Sequence, residues 1–150
     1  VLFLAPSVTA GEVGINLFGL SYHLDRRDEQ GRRFNEINYG IGANYTFYKN
    51  HRSHYYLEGG IYDDSFRKTA RYITVGYDYR LFAQLYCGLL VGLIDSRSLS
   101  SSGSIVAAVP LLRYRWSHVS FNVVHLPKFP GINEYPAFAT YLTIWLGHIP

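Results

Sequence analysis

At 150 residues the chain is long enough for one domain and too short for two comfortable ones, and a net charge of +3 is too small to suggest nucleic-acid binding, where a clustered basic stripe is expected. Cys87 is the single cysteine, which excludes an internal disulfide and a cysteine-rich metal site. No run of about 18 apolar residues occurs, so a transmembrane helix is excluded and a membrane location demands a barrel.

In chain order, the opening VLFLAPSVTA reads as the back half of a secretory signal peptide, with Val8 and Ala10 at the positions a signal peptidase reads. Cleavage is expected after Ala10, leaving 11–150 as one barrel domain. A first strand is expected over 13–24. From Phe34 to Tyr48 the odd positions include Ile37, Tyr39, Ile41, Tyr45 and Phe47, while the even ones include Glu36, Asn38, Gly40, Gly42 and Asn44. That period of two is a strand with one oily and one polar face. It returns over 54–62, over 71–81 (Ile73, Val75, Tyr77, Tyr79 and Leu81 against Thr74, Gly76, Asp78 and Arg80) and over 84–94. Strands at 104–114, 118–126 and 137–147 bring the segments to eight. Each is near the roughly 9–11 residues a tilted strand needs to cross a bilayer.

The links alternate in length. Long polar links fall at 25–33, 63–70, 95–103 and 127–136, and short ones at 49–53, 82–83 and 115–117. An all-β, eight-stranded antiparallel up-and-down transmembrane barrel has this habit, with long extracellular loops, short periplasmic turns and both termini in the periplasm. A soluble lipocalin-like barrel shares the period with its apolar face inside. The polar face here is rich in Gly, Asn and Thr, a poor solvent coat and a good barrel interior, so the membrane reading is preferred.

This topology puts His23, Asp64 and Ser65 on one extracellular rim. A histidine, a hydroxyl and a carboxylate are the groups that activate an oxygen nucleophile. Asp63, Asp64 and Ser65 are equally ordinary turn formers. The remaining histidines have no metal-ligand spacing. Gly40, Gly42, Gly60, Gly76, Gly88 and Gly92 face inward, where missing side chains leave a vacancy or relieve curvature; Leu90 and Ile94 would make part of that vacancy apolar. Pro110 inside the sixth strand and Pro127 after the seventh lack the N–H of a ladder bond, so the wall is expected to break there, unless they are simply edge or loop prolines. The run DRRDEQGRR at 25–33 reads mainly as a solvated loop, although its arginines could fork onto phosphates.

Together these residues resemble the PagP family of lipid A palmitoyltransferases. The matching positions are His23 in Ser-Tyr-His, Asp64 and Ser65 in Asp-Asp-Ser-Phe, Gly76 before Tyr77, Pro110, and Pro127 following Val119-Ser120-Phe121-Asn122. Phe66 stands where the family has tryptophan, the chain ends in Gly-His-Ile-Pro instead of on an aromatic, and no amphipathic helix is evident before strand one. The resemblance implies a monomeric acyltransferase in the outer membrane of a Gram-negative bacterium, working without a cofactor. Its donor would be a glycerophospholipid and its acceptor lipid A of lipopolysaccharide. His23 would be the general base, Asp64 its electrostatic partner, and Ser65 the nucleophile or a polarising donor. The sn-1 palmitoyl-type chain would fill a pocket lined by Gly76, Gly88 and Leu90, reached laterally past Pro110 and Pro127. The rivals are a non-enzymatic small outer-membrane barrel, whose bore would be filled with interlocked polar side chains, and a lipid A deacylase. The deacylase should carry a His-Ser pair within one late strand, and Ala137 to Gly147 has neither residue.

Overall fold

Strict alternation gives each strand two unlike faces, and a sheet with one oily face satisfies its backbone in lipid only by closing on itself. The computed structural model, which describes residues 11–96, 103–130 and 132–148, is such a closed antiparallel barrel. Its eight strands are β1 (Glu12–His23), β2 (Ile37–Lys49), β3 (Ser53–Asp63), β4 (Thr69–Phe82), β5 (Leu85–Asp95), β6 (Ser104–Arg115), β7 (Val119–Leu126) and β8 (Ala137–His148). Each pairs with its sequence neighbour, and β8 closes on β1. The expected strands are all present. The larger differences are at β2, which begins at Ile37 instead of Phe34, and at the second outer link, which contracts to 64–68 because β3 and β4 run on to Asp63 and Thr69. The expected signal remnant, 1–10, lies outside the described residues.

The apolar face looks outward. Tyr39 and Val106 are each 71 % exposed, and Ile41, Leu57, Val75, Leu93 and Leu142 are exposed beside them. The barrel interior in its inner half, towards the short turns, is filled by polar groups. Arg113, 1 % exposed, pairs with Asp78, donates Nε–H to Asn122 Oδ1 at 2.6 Å and lies 4.8 Å over the Tyr56 ring. The Tyr56 hydroxyl donates to Asp78 at 2.9 Å. The chain of bonds continues from Asn122 to Thr143 at 3.0 Å and from Thr143 to Asn16 at 2.8 Å. Asn16 and Asn44 then donate to the Glu58 carboxylate at 3.2 and 3.0 Å. At the inner mouth Glu12 pairs with Arg115 and, at 3.0 Å, with Lys49. An apolar layer of Tyr56, Leu90, Val109, Leu111, Val124 and Tyr141 roofs this plug.

Removing one partner of a buried ion pair strands the other charge. Asp78→Ala should therefore destabilise the barrel by about 3–5 kcal/mol, read as a lower urea midpoint in lipid vesicles. Replacing both partners, as Asp78→Leu with Arg113→Met, should recover most of that loss.

Candidate functional site

At the opposite, outer end the interior is open. Parity along β1 would turn His23 away from it: Glu12, Gly14 and Asn16 point inward, and continued alternation would put His23 outside. A β-bulge corrects this. Phe18 pairs with Tyr141 and Ser21 with Ala139, so Gly19 and Leu20 together stand opposite Thr140. The Thr140 hydroxyl donates to the Leu20 carbonyl at 3.0 Å, beside the bulge. Bulges re-aim side chains in this way. Beyond it Leu20 and Tyr22 are exposed, while His23 is 3 % exposed.

The His23 ring stacks on Phe34, with centroids 4.3 Å apart and planes at 18°. Phe34 in turn packs on Phe66 and Tyr135, so three outer loops meet in one aromatic nest. Among the described residues His23 Nδ1 is buried without a hydrogen-bond partner. A buried, unsatisfied ring nitrogen is costly in a finished structure and useful in a site that receives a ligand. Phe34, expected as the first residue of a strand, lies instead in the loop before β2 and is the buried neighbour that alternation alone did not single out.

Asp64 and Ser65 arrive on the tight turn between β3 and β4. Asp64 Oδ1 accepts the backbone N–H groups of Phe66 and Lys68, both at 2.9 Å, and Oδ2 accepts the Ser96 hydroxyl at 2.8 Å. Oδ1 thus builds the turn, and Oδ2 ties it to Ser96 just beyond β5. Among the described residues neither Asp64 nor Ser65 hydrogen-bonds to His23. His23, Asp64 and Ser65 nevertheless border one apolar cavity of about 340 Å³. The structure brings the three together around a space and leaves them unlinked.

That cavity runs into the wall. β6 and β7 are paired only from Leu111–Val124 to Arg115–Ser120; outward of Leu111 the ladder stops, although β6 continues to Ser104. Pro110 is the first residue past the last pair. The cavity's lining includes inward Ala107 and Val109 and outward Val106 and Ala108, together with Leu126 and Pro127. The β6–β7 ladder thus ends beside Pro110, and Pro127 is on the lining of the cavity that begins there.

The expected inner pocket differs. A Cβ on Gly76 would collide with the Tyr56 ring, and one on Gly88 with the Asp78 carboxylate. Gly42 and Gly60 likewise abut Tyr72. These glycines make room for rings and a carboxylate of neighbouring strands and do not line an open bore. Leu90 does border open space, a second cavity of about 100 Å³ that ends on Glu58 and Tyr141. The two cavities lined by described residues thus run from the outer rim to Glu58 in mid-barrel. The charged loop at 25–33 is largely self-satisfied: Arg32 pairs with Asp28 at 2.8 Å and Arg27 donates to the Gly31 carbonyl at 2.6 Å. Desolvation opposes ionisation of Asp28, but the Arg32 amide and guanidinium prevail and hold its carboxyl below the usual range.

No protein-family description matches the sequence, and no curated protein sequence does. The fold has solved relatives. The Yersinia pestis outer-membrane protein Ail in a phospholipid bilayer nanodisc superposes with a TM-score of 0.54 at 14 % identity, over 91 % of this chain and 99 % of that one. The crystal structure of Ail, the attachment invasion locus protein of Yersinia pestis, gives 0.54 at 12 % identity, over 92 % and 100 %. At these identities the likeness is one of fold. With its apolar exterior, the chain has the fold of these small outer-membrane β-barrels.

Because Gly76 is covered by Tyr56, Gly76→Met should act on folding. The folded fraction, read by heat-dependent gel migration, should fall sharply. A variant that folds as well as the parent would mean that the Tyr56 ring can vacate the space.

Proposed function

We propose that this barrel takes an acyl chain of a membrane glycerophospholipid through the gap between β6 and β7 and transfers it at the outer rim to lipid A. The observation that carries the reading is the continuity of one apolar cavity from the unpaired wall at Ala107 and Pro127 to His23 and Ser65. An acyl chain suits that lining, and its ester would come to lie among the polar groups of the rim. The acceptor hydroxyl would give its proton to His23 as its oxygen attacks the ester carbonyl; the bond to the glycerol oxygen breaks, and the proton passes to that oxygen. Ser65 would polarise the carbonyl or attack first. Asp64, tied to Ser96 and to its own turn, would act by positioning Ser65. The chain's end would meet Leu90 and Tyr141 at the level of Gly76, where the Tyr56 ring, and not the glycine, would meet it.

A second reading has its own support. The inner half is filled with interlocked polar side chains, as a non-enzymatic barrel requires, and a solved barrel of this fold is an attachment invasion locus protein. Mass spectrometry of lipid A from cells with and without the chain separates the two. Transfer should add one acyl chain, and His23→Ala or Ser65→Ala should abolish the addition while the barrel still folds. Unaltered lipid A in cells carrying the parent chain would leave the non-enzymatic reading standing. Ala107→Trp, which fills the wall opening and leaves the rim residues His23 and Ser65 unchanged in sequence, should also suppress transfer by tenfold or more, on the order of 1.4 kcal/mol.

A further inference from the structure

The charge of this barrel is segregated by end. Five cations lie at or near the inner mouth, Lys49, Arg52, Arg80, Arg113 and Arg115, against two carboxylates, Glu12 and Asp78. That excess equals the +3 of the whole chain, because the outer loops and Glu58 in mid-barrel balance. The two carboxylates are already used, Asp78 by Arg113 and Glu12 by Arg115 and Lys49. Arg52 and Arg80 are left over. Both are exposed, and among the described residues neither has a carboxylate partner.

These two arginines are also held side by side. The Arg80 N–H donates to the Arg52 carbonyl at 2.7 Å, one step beyond the Ser53–Tyr79 pair that starts the β3–β4 ladder. Like charges directly opposite each other in a ladder are destabilising. Their positions suit an anion at the membrane surface. The Arg52 guanidinium donates to the Tyr79 hydroxyl at 3.4 Å, and Tyr79 is on the lipid-facing wall. Arg80 Nε donates to the Ala83 carbonyl at 2.5 Å, with Leu81 and Phe82 exposed beside it, Phe82 at 67 %. Aromatic and aliphatic side chains at a barrel end mark the headgroup level, and arginine is the side chain best shaped to fork onto phosphate.

We infer that Arg52 and Arg80 form a docking site for the phosphate of an anionic glycerophospholipid in the inner leaflet, its acyl chains lying along the wall beside Tyr79 and Phe82. The site is at the far end of the barrel from His23 and does not depend on acyl transfer. It anchors and orients the barrel by the end that has few loops to grip the membrane.

The test uses the full chain in phosphatidylcholine vesicles containing phosphatidylglycerol, with association of spin-labelled phosphatidylglycerol compared with spin-labelled phosphatidylcholine. The parent chain should prefer the anionic lipid, and Arg52→Gln with Arg80→Gln should lower that preference by about fivefold or more. Arg26→Gln with Arg33→Gln at the outer end should leave it unchanged. Heat-dependent gel migration verifies folding, and Arg52→Lys with Arg80→Lys should keep most of the preference. Absence of preference in the parent chain, its survival in the glutamine pair, or equal loss in the outer-end pair overturns the site. Complete competition by inorganic phosphate would show a bare anion site and overturn the assignment to lipid.

Discussion

Closure governs this molecule. In hydrocarbon an unpaired backbone group costs several kcal/mol, so a sheet with an oily exterior must bond every strand to two neighbours, and β8 returns to β1 for that reason. Against that requirement the outward end of the β6–β7 seam stands out, because β6 runs on past its last partner at Leu111. Proline at position 110 has no N–H to leave unbonded. It therefore lowers the cost of ending the ladder at that level, and the residues beyond it border a cavity instead of a neighbouring strand.

A barrel that gives up ladder bonds in one half has to be held by the other. The inner half has that character: Arg113, Asp78, Tyr56, Asn122, Thr143 and Asn16 form a bonded series spanning the bore, joined through Asn16 to Glu58. Most of its polar atoms are bonded, although Arg113 Nη2 is buried without a partner among the described residues. Polar groups packed between β3, β4, β6, β7 and β8 fix the relative positions of strands that are not all neighbours, and this leaves the outer half free to contain open space. The buried pair and the wall opening are two sides of one distribution of interactions.

The strands, their faces and the alternation of link lengths were legible because they rest on a period of two that a bilayer enforces residue by residue. The end of the β6–β7 ladder was legible at Pro110 because proline's lack of a donor is local. The bore was not. Gly76 and Gly88 look like vacancies along their own strand, yet a glycine's space belongs to whatever side chain the adjacent strand supplies, here the Tyr56 ring and the Asp78 carboxylate. Register, which decides that neighbour, is fixed across strands. His23 shows the same limit from the other direction: its placement at the rim followed from topology, but its inward aim depends on two residues at the Gly19–Leu20 bulge that no alternation pattern announces.

The rim site has a corresponding division of roles. Asp64 is usually attractive as a partner for a histidine, but a carboxylate that already accepts two amides and a hydroxyl is committed to shaping its turn. What that turn presents is Ser65, on the same cavity as a histidine whose Nδ1 is buried and, among the described residues, unbonded. An imidazole kept from solvent by Phe34 and given no internal partner gains most from whatever polar atom enters the cavity. An apolar lining that reaches an unsatisfied ring nitrogen is the feature on which the proposed acyl transfer rests.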